Sequence, residues 1–272
     1  MAFLPAVLTH SEYCPPVQRL KSFIADSAFA ISAGESAADQ DGNAILQPMQ
    51  RPTICESANS SDLRIFPAQE EDVLPLAHMH NASFADDAFM QLIWGNTDRP
   101  AFDRELAKDF SHRRACVQKG IAPGFEEPVG MTLAYLVDVD AERAESARSD
   151  KKPEEEEKHL PGTDVELFKD FMAMLDRVRA AYREQDSRFY HLEILAVAPE
   201  AQRRGFGQAL LESVLATADE ENLPVYLEAS AVGTGLYRKH GFVDCAERAS
   251  CGPEGAISVL PMRRPPRAAR QA

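Results

Sequence analysis

Apolar positions recur with a structural period along parts of this chain and not along others, and the contrast divides it. Residues 1–60 show no sustained period, and 31–61 are rich in Ser, Ala, Asp, Asn and Gly. A short helix over 17–29 is the one element expected in an otherwise irregular extension. From Leu63 the pattern sharpens. Leu63-Arg-Ile-Phe alternates as a half-buried strand does. Glu70-Glu-Asp suits a helix N-terminus, where the macrodipole favours negative charge, and Val73, Leu76, Ala77, His80 and Phe84 then share one helical face. Further helices are predicted over 86–94 and 103–112. Met131 to Val137 is a continuous β-prone run, read as a buried strand with 115–119 as its hairpin partner.

Residues 138–159 are charged and of low complexity around Glu154–Glu157, and are read as a solvated loop. Phe168, Phe171, Leu175, Val178 and Tyr182 mark one face of a long amphipathic helix starting at Asp164. The remaining pattern predicts a strand over 189–197, a helix over 205–222, a strand over 225–228, a short helix over 234–240 stopped by Gly241, and closing strands over 242–245 and 257–262. The arginines near the end, Arg263, Arg264, Arg267 and Arg270, are read as solvated. The resulting division is an extension over 1–60, a folded domain over 61–266 with an acidic insertion at about 138–163, and a tail over 267–272.

Composition narrows the function classes. The formal net charge of −14 across 272 residues argues against a nucleic-acid partner, which needs clustered Lys and Arg. The five cysteines are odd in number and lack C-x-x-C spacing, so neither a disulfide framework nor a zinc site is expected; a reducing, cytoplasmic compartment fits. No apolar run is long enough for a membrane span, and the mildly apolar start lacks the basic segment of a signal peptide. No metal-ligand spacing occurs, His78-Met-His80 being H-x-H on a predicted helix with its rings apart.

One segment carries recognisable chemistry. In Leu195-Ala-Val-Ala-Pro-Glu-Ala-Gln-Arg-Arg-Gly-Phe-Gly-Gln a strand passes through a proline turn into a glycine-bearing helix start. The first amides of a helix lack internal partners and attract anions, and glycines at 205 and 207 would let the backbone approach a phosphate closely. Arg203 and Arg204 add positive charge at the same end. The dinucleotide fingerprint is excluded because no third glycine follows Gly207 at its position, and the P-loop because no Gly-Lys-Ser/Thr occurs.

Here the chain resembles the GNAT acyltransferase superfamily. Leu195-Ala-Val-Ala-Pro199 followed by Gln202-Arg-Arg-Gly-Phe-Gly207 is similar to the family's cofactor signature. Leu236-Tyr-Arg-Lys-His-Gly-Phe242 matches its downstream motif, and Leu63-Arg-Ile-Phe-Pro-Ala with Asp72 looks like its opening. The resemblance covers roughly residues 62–265. It implies an α/β (α+β) fold: a mixed, mainly antiparallel sheet whose central strands splay apart, with flanking helices and acetyl-CoA in the gap as cosubstrate. The amides of Arg203, Arg204, Gly205, Phe206, Gly207 and Gln208 would then hold the pyrophosphate, with Gln202 part of the motif. The backbone of Leu195, Ala196 and Val197 would line the pantetheine arm. Ser230 stands where many members have an Asn that touches that arm.

Acetyl transfer to an amine needs a base for the ammonium and an acid for the departing thiolate. His191 and Glu193 lie two apart on a strand, and two-residue alternation would point both to one face. Family members carry histidines or a carboxylate there. Glu193 is the favoured base, with His191 as partner or alternate, either acting directly or through a water. Tyr237, in the downstream motif, is the expected acid. The implied acceptor is a primary amine of a small molecule, bound beside Phe84, Phe89, Trp94 and Phe102. A peptide N-terminus or lysine is an alternative acceptor. A silent acyl-CoA-binding protein is an alternative of another class.

Overall fold

The computed structural model describes residues 63–146 and 158–270. The helix expected over 17–29 and the run Glu154–Glu157 lie outside the described residues. The strands are β1 (Arg64–Pro67), β2 (Val117–Ile121), β3 (Gly130–Asp138), β4 (Arg188–Val197), β5 (Val225–Ala229), β6 (Val243–Asp244), β7 (Ala249–Cys251) and β8 (Ile257–Arg264). The helices are α1 (Val73–Ser83), α2 (Ala88–Trp94), α3 (Arg99–His112), α4 (Val139–Ser146), α5 (Val165–Gln185), α6 (Phe206–Glu220), α7 (Thr234–Lys239) and α8 (Arg267–Arg270). The strands run in the order β1-β2-β3-β4-β5-β8-β6, with β7 paired to β8. Every pairing is antiparallel except that of β4 with β5.

Alternation along the strands assigns the helices to faces. Gln118 and Thr132 are cross-strand partners, and Gln118 Oε1 accepts from Ser213 of α6 and from Thr132. The next residue, Lys119, turns to the opposite face and reaches Asp72, just before α1, at 2.6 Å. Thus α6 covers one face and α1 the other. The core is built from both faces of β3 and β4 together with Leu76, Phe102, Phe110, Phe171, Leu210 and Val214.

Several expectations need correction. α3 begins earlier than predicted, at Arg99, because Asp98 accepts from the Ala101 amide at 2.9 Å and Pro100 occupies the first turn, where its missing N–H is harmless. The start of the acidic insertion is a helix, α4, not a solvated loop. Asp138 accepts from the Ala141 amide at 3.0 Å, Val139 is buried, and Arg183 of α5 pairs with Glu142. Arg263 and Arg264 are not solvated. Arg264 is buried with a two-pronged bond to Asp219 (2.7 and 2.8 Å), and Arg263 reaches Asp186 at 2.9 Å, so β8 lays both stems inside and pairs both heads. Phe84, Phe89, Trp94 and Phe102 do not line an acceptor groove. They are 2% exposed or less, and Trp94 meets Phe89 edge to face at 4.8 Å and Phe102 at a tilt at 5.1 Å.

Candidate active site

β4 and β5 are in register only at Tyr190↔Val225 and His191↔Tyr226. Beyond these pairs β4 runs on to Val197 and β5 to Ala229, so the two strands part. On its other side β4 stays paired with β3 through Gly130↔Val197, but with a shift. Leu133 opposes Ile194 and Ala134 opposes Leu192, which leaves Glu193 as the extra residue of a β-bulge. The bulge breaks the two-residue alternation behind the same-face reading of His191 and Glu193. The two residues nonetheless meet in one buried cluster.

Glu193 is 1% exposed, and Arg113, at the end of α3, holds both its oxygens, Nη2 to Oε2 at 2.6 Å and Nη1 to Oε1 at 3.3 Å. The Arg113 guanidinium lies 5.5 Å from the centre of the Tyr135 ring. The Tyr135 hydroxyl is 2.9 Å from His191 Nδ1, and His191 Nε2 is 3.1 Å from Glu228 Oε2. Arg179 of α5 closes the set, donating to both Glu228 oxygens at 3.2 and 3.3 Å. Burial alone would raise the Glu228 carboxyl, but Arg179 and His191 together hold it well below the usual carboxylate range. Burial pushes the Tyr135 phenol up, with Glu193 adding to the effect. Asp109 lies one helical turn before Arg113, 3.7 Å from it, and burial pushes its carboxyl up to about 8.

The sequence reading missed Asp109, Arg113, Tyr135, Arg179 and Glu228. A signal existed for three of them. Arg179 falls between Leu175 and Tyr182 on the apolar stripe of α5, Asp109 and Arg113 continue the stripe of Phe102 and Leu106 on α3, and both stripes are buried. A charge at such a position has to find a partner inside the fold.

At the far end of β4 the chain turns tightly. Arg203 and Gly205 both have positive φ, 63° and 83°, and Gly205 is the N-cap of α6 with no side-chain hydrogen bond to the helix amides. The α6 start therefore keeps its amides of residues 206–208 for an outside acceptor. Gln202, Arg203, Arg204 and Gly205 are exposed, while Phe206 is buried and anchors the helix. Arg204 stands over the Phe125 ring at 5.2 Å. A Cβ on Gly207 would meet Val197 Cγ2 at 3.6 Å, an ordinary contact, so packing inside the protein does not demand glycine there.

The Val197 carbonyl accepts from Ser83 Oγ (3.0 Å) and Gln202 Nε2 (3.2 Å), which pins the end of α1 and the turn to the strand. Leu195 and Ala196 are buried beside it. Across the gap, the Ser230 hydroxyl oxygen accepts from the Gly233 amide at 3.2 Å and steadies the start of α7. Tyr237, on α7, is buried against Phe242 at 5.6 Å, and burial raises its phenol above the ordinary range. Among the described residues no group of His, Cys, Asp and Glu could hold a metal ion, and no helix is long and apolar enough to cross a membrane.

Residues 153–264 match the family model described as acetyltransferase (GNAT) domain. Acetyltransferases of the GNAT class generally use acetyl-CoA. A curated N-acetyltransferase of Schizosaccharomyces pombe is 31% identical over 79 residues, 28% of this chain; the matched part spans 32% of that relative's length. Among solved structures the fold is similar to the C-terminal condensation domain of Ebony in complex with beta-alanyl-dopamine. That likeness has a TM-score of 0.55 and 12% identity, covering 75% of this chain and 98% of the other. It is also similar to arylalkylamine N-acetyltransferase 2 from Aedes aegypti, with a TM-score of 0.50, 13% identity and the same coverages.

Proposed function

We propose that this domain transfers an acetyl group from acetyl-CoA to the primary amine of a small molecule in a ternary complex. The observation that carries the reading is the opening between β4 and β5, which ends on a helix start left without a cap. The residues present suit acetyl-CoA. The amides at 206–208, with Arg203 and Arg204, offer the diphosphate a positive and closely approachable surface. Leu195, Ala196 and Val197 flank the arm on one side and Ser230 on the other. When bound, acetyl-CoA supplies an acetyl group already activated as a thioester.

Proton handling falls to the chain. Glu193 takes the proton of the acceptor ammonium, directly or through a water. Its two oxygens bond to Arg113 but each retains a further lone pair. His191 has both ring nitrogens engaged, by Tyr135 and Glu228, and serves as the partner that fixes the cluster. The Glu193 amide lies at the bulge, where a backbone donor can stabilise a developing oxyanion. Tyr237, whose burial keeps its phenol protonated through the neutral range, returns a proton to the leaving thiolate. A small acceptor suits the acceptor side, because the end of α1 is tied onto the end of β4 through Ser83.

Thiol release from acetyl-CoA, measured against a panel of small amines and of peptides, tests the reading. Release with small amines is expected, and Glu193→Ala should lower kcat by about 10²–10⁴-fold while CoA still binds. Release with peptides alone would transfer the assignment to a protein or peptide acceptor. Tight CoA binding with no release in either panel would make the domain a binding module.

A further inference from the structure

The cluster around Glu193 contains three buried carboxyl groups, Asp109, Glu193 and Glu228, and two guanidinium groups, the buried Arg113 and the partly exposed Arg179. Two bidentate pairs, Glu193 with Arg113 and Glu228 with Arg179, account for four of these charges. Asp109 is left over. Its side chain has no exposed surface, and neither of its oxygens has a hydrogen-bond partner. Arg113 Nε, beside it, is also without an acceptor. His191 need not carry the balancing charge. A neutral ring donates from Nε2 to Glu228 and accepts at Nδ1 from the Tyr135 hydroxyl, which satisfies both nitrogens. An uncompensated charge at such a depth is costly, so the cluster needs one more proton, and the carboxyl without partners is where it belongs.

We propose that Asp109 holds the one exchangeable proton of this buried cluster and, on releasing it, draws Arg113 away from Glu193, so that Asp109 is a positioning residue for the proposed base. The second half rests on the reading of Glu193 given above; the protonation itself does not.

The groups acting on Asp109 are Arg113, 3.7 Å away at the end of α3, and Glu193 of β4. Around them lie Tyr135 of β3, under the Arg113 guanidinium, His191 of β4, 2.9 Å from the Tyr135 hydroxyl, the buried Cys116 thiol, and His80 of α1, whose ring packs on Phe110 at 5.9 Å. Further out, His78 pairs with Asp103, Lys119 with Asp72, and Arg114 with Glu70. Burial is the main influence on Asp109 and raises it to about 8, Arg113 opposes and Glu193 reinforces. Burial drops His80 to about 4 and lifts Cys116 to about 11, so neither changes charge while Asp109 titrates.

Infrared spectroscopy of the full chain, titrated from neutral to alkaline pH without ligand, is the test. A carboxylic-acid carbonyl band should be present at neutral pH, fade with a midpoint of about 8, and be missing from Asp109→Asn. No such band, or its survival in Asp109→Asn, overturns the proposal. Should Asp109→Asn fail to fold, Glu193→Gln takes its place. Removing that negative charge and freeing Arg113 should bring the midpoint down by roughly 1–3 units, and an unmoved midpoint overturns the shared guanidinium. The link to Glu193 is read from the pH–rate profile, where the wild type should show an inflection at the infrared midpoint that Asp109→Asn lacks. A titrating band without that inflection removes the positioning role. A chain that acetylates nothing removes the functional reading and leaves the infrared result standing.

Discussion

β4 carries the two regions proposed to be functional, and they are built in opposite ways. The turn at its C-terminal end, residues 195–208, is one continuous stretch of chain, with Gln202 to Gly205 exposed and held by backbone geometry: an αL glycine, an αL arginine and an uncapped helix start. The cluster around the bulge at Glu193 is buried and assembled from α3, β3, β4, α5 and β5, and it is held by charge pairing. On the proposed reading the turn offers a fixed field to an anion, and its shape is set mainly by its own backbone, with Ser83 the one side chain of α1 bonded to it. The cluster exists only once the whole sheet and two helices have packed, and each of its charges depends on another. A mutation in the turn should therefore strike binding with little effect on folding, and a mutation in the cluster should strike folding first.

Arg113→Ala is the largest expected break in that contrast. It leaves Glu193 buried without its counter-charge, and removing one partner of a buried pair typically costs about 3–5 kcal/mol. Denaturant unfolding should show a loss of that order. Replacing the pair together, Arg113→Met with Glu193→Leu, should recover most of it. A loss below about 1 kcal/mol for Arg113→Ala would mean that water reaches the pair and the cluster is not closed. At the small end stands Arg203→Gly. A non-glycine residue in the left-handed region costs roughly 1–2 kcal/mol, so glycine at φ 63° should stabilise the fold by up to about that amount. The same change removes a cation from the turn and should weaken CoA binding. Lost stability in Arg203→Gly would show that the arginine side chain anchors the turn through contacts of its own.

The same contrast explains what could be read from the chain. The turn was legible because its physics is local: a strand, a proline turn, two glycines and an amphipathic helix follow one another in sequence, and α6 begins within a residue of its expected place. The splay and the antiparallel sheet came from the resemblance carried by that segment. The cluster was half legible. His191 and Glu193 stood out as polar residues in an apolar strand, but their partners lie 37 to 80 positions away and only packing brings them together. The bulge was invisible because a register shift is a property of two strands, not of one. The aromatics of α2 and α3 misled for a related reason. Large rings on short helices suit a ligand groove or a core equally well, and Phe89 and Trp94 went to the core once Phe168 and Phe171 of α5 packed against them.

The central claim is that the start of α6 binds the cofactor, and calorimetric titration of Gly205→Val with CoA tests it most directly. Gly205 sits at φ 83°, a conformation that a β-branched residue strongly resists, and the new side chain would stand beside the exposed amides. Gly205→Asn, a residue better able to adopt the left-handed region, separates backbone strain from obstruction. The account predicts a folded Gly205→Val protein whose affinity for CoA falls by at least about tenfold, equivalent to roughly 1.4 kcal/mol. Affinity equal to wild type in that folded protein would contradict it and move the cofactor away from this turn.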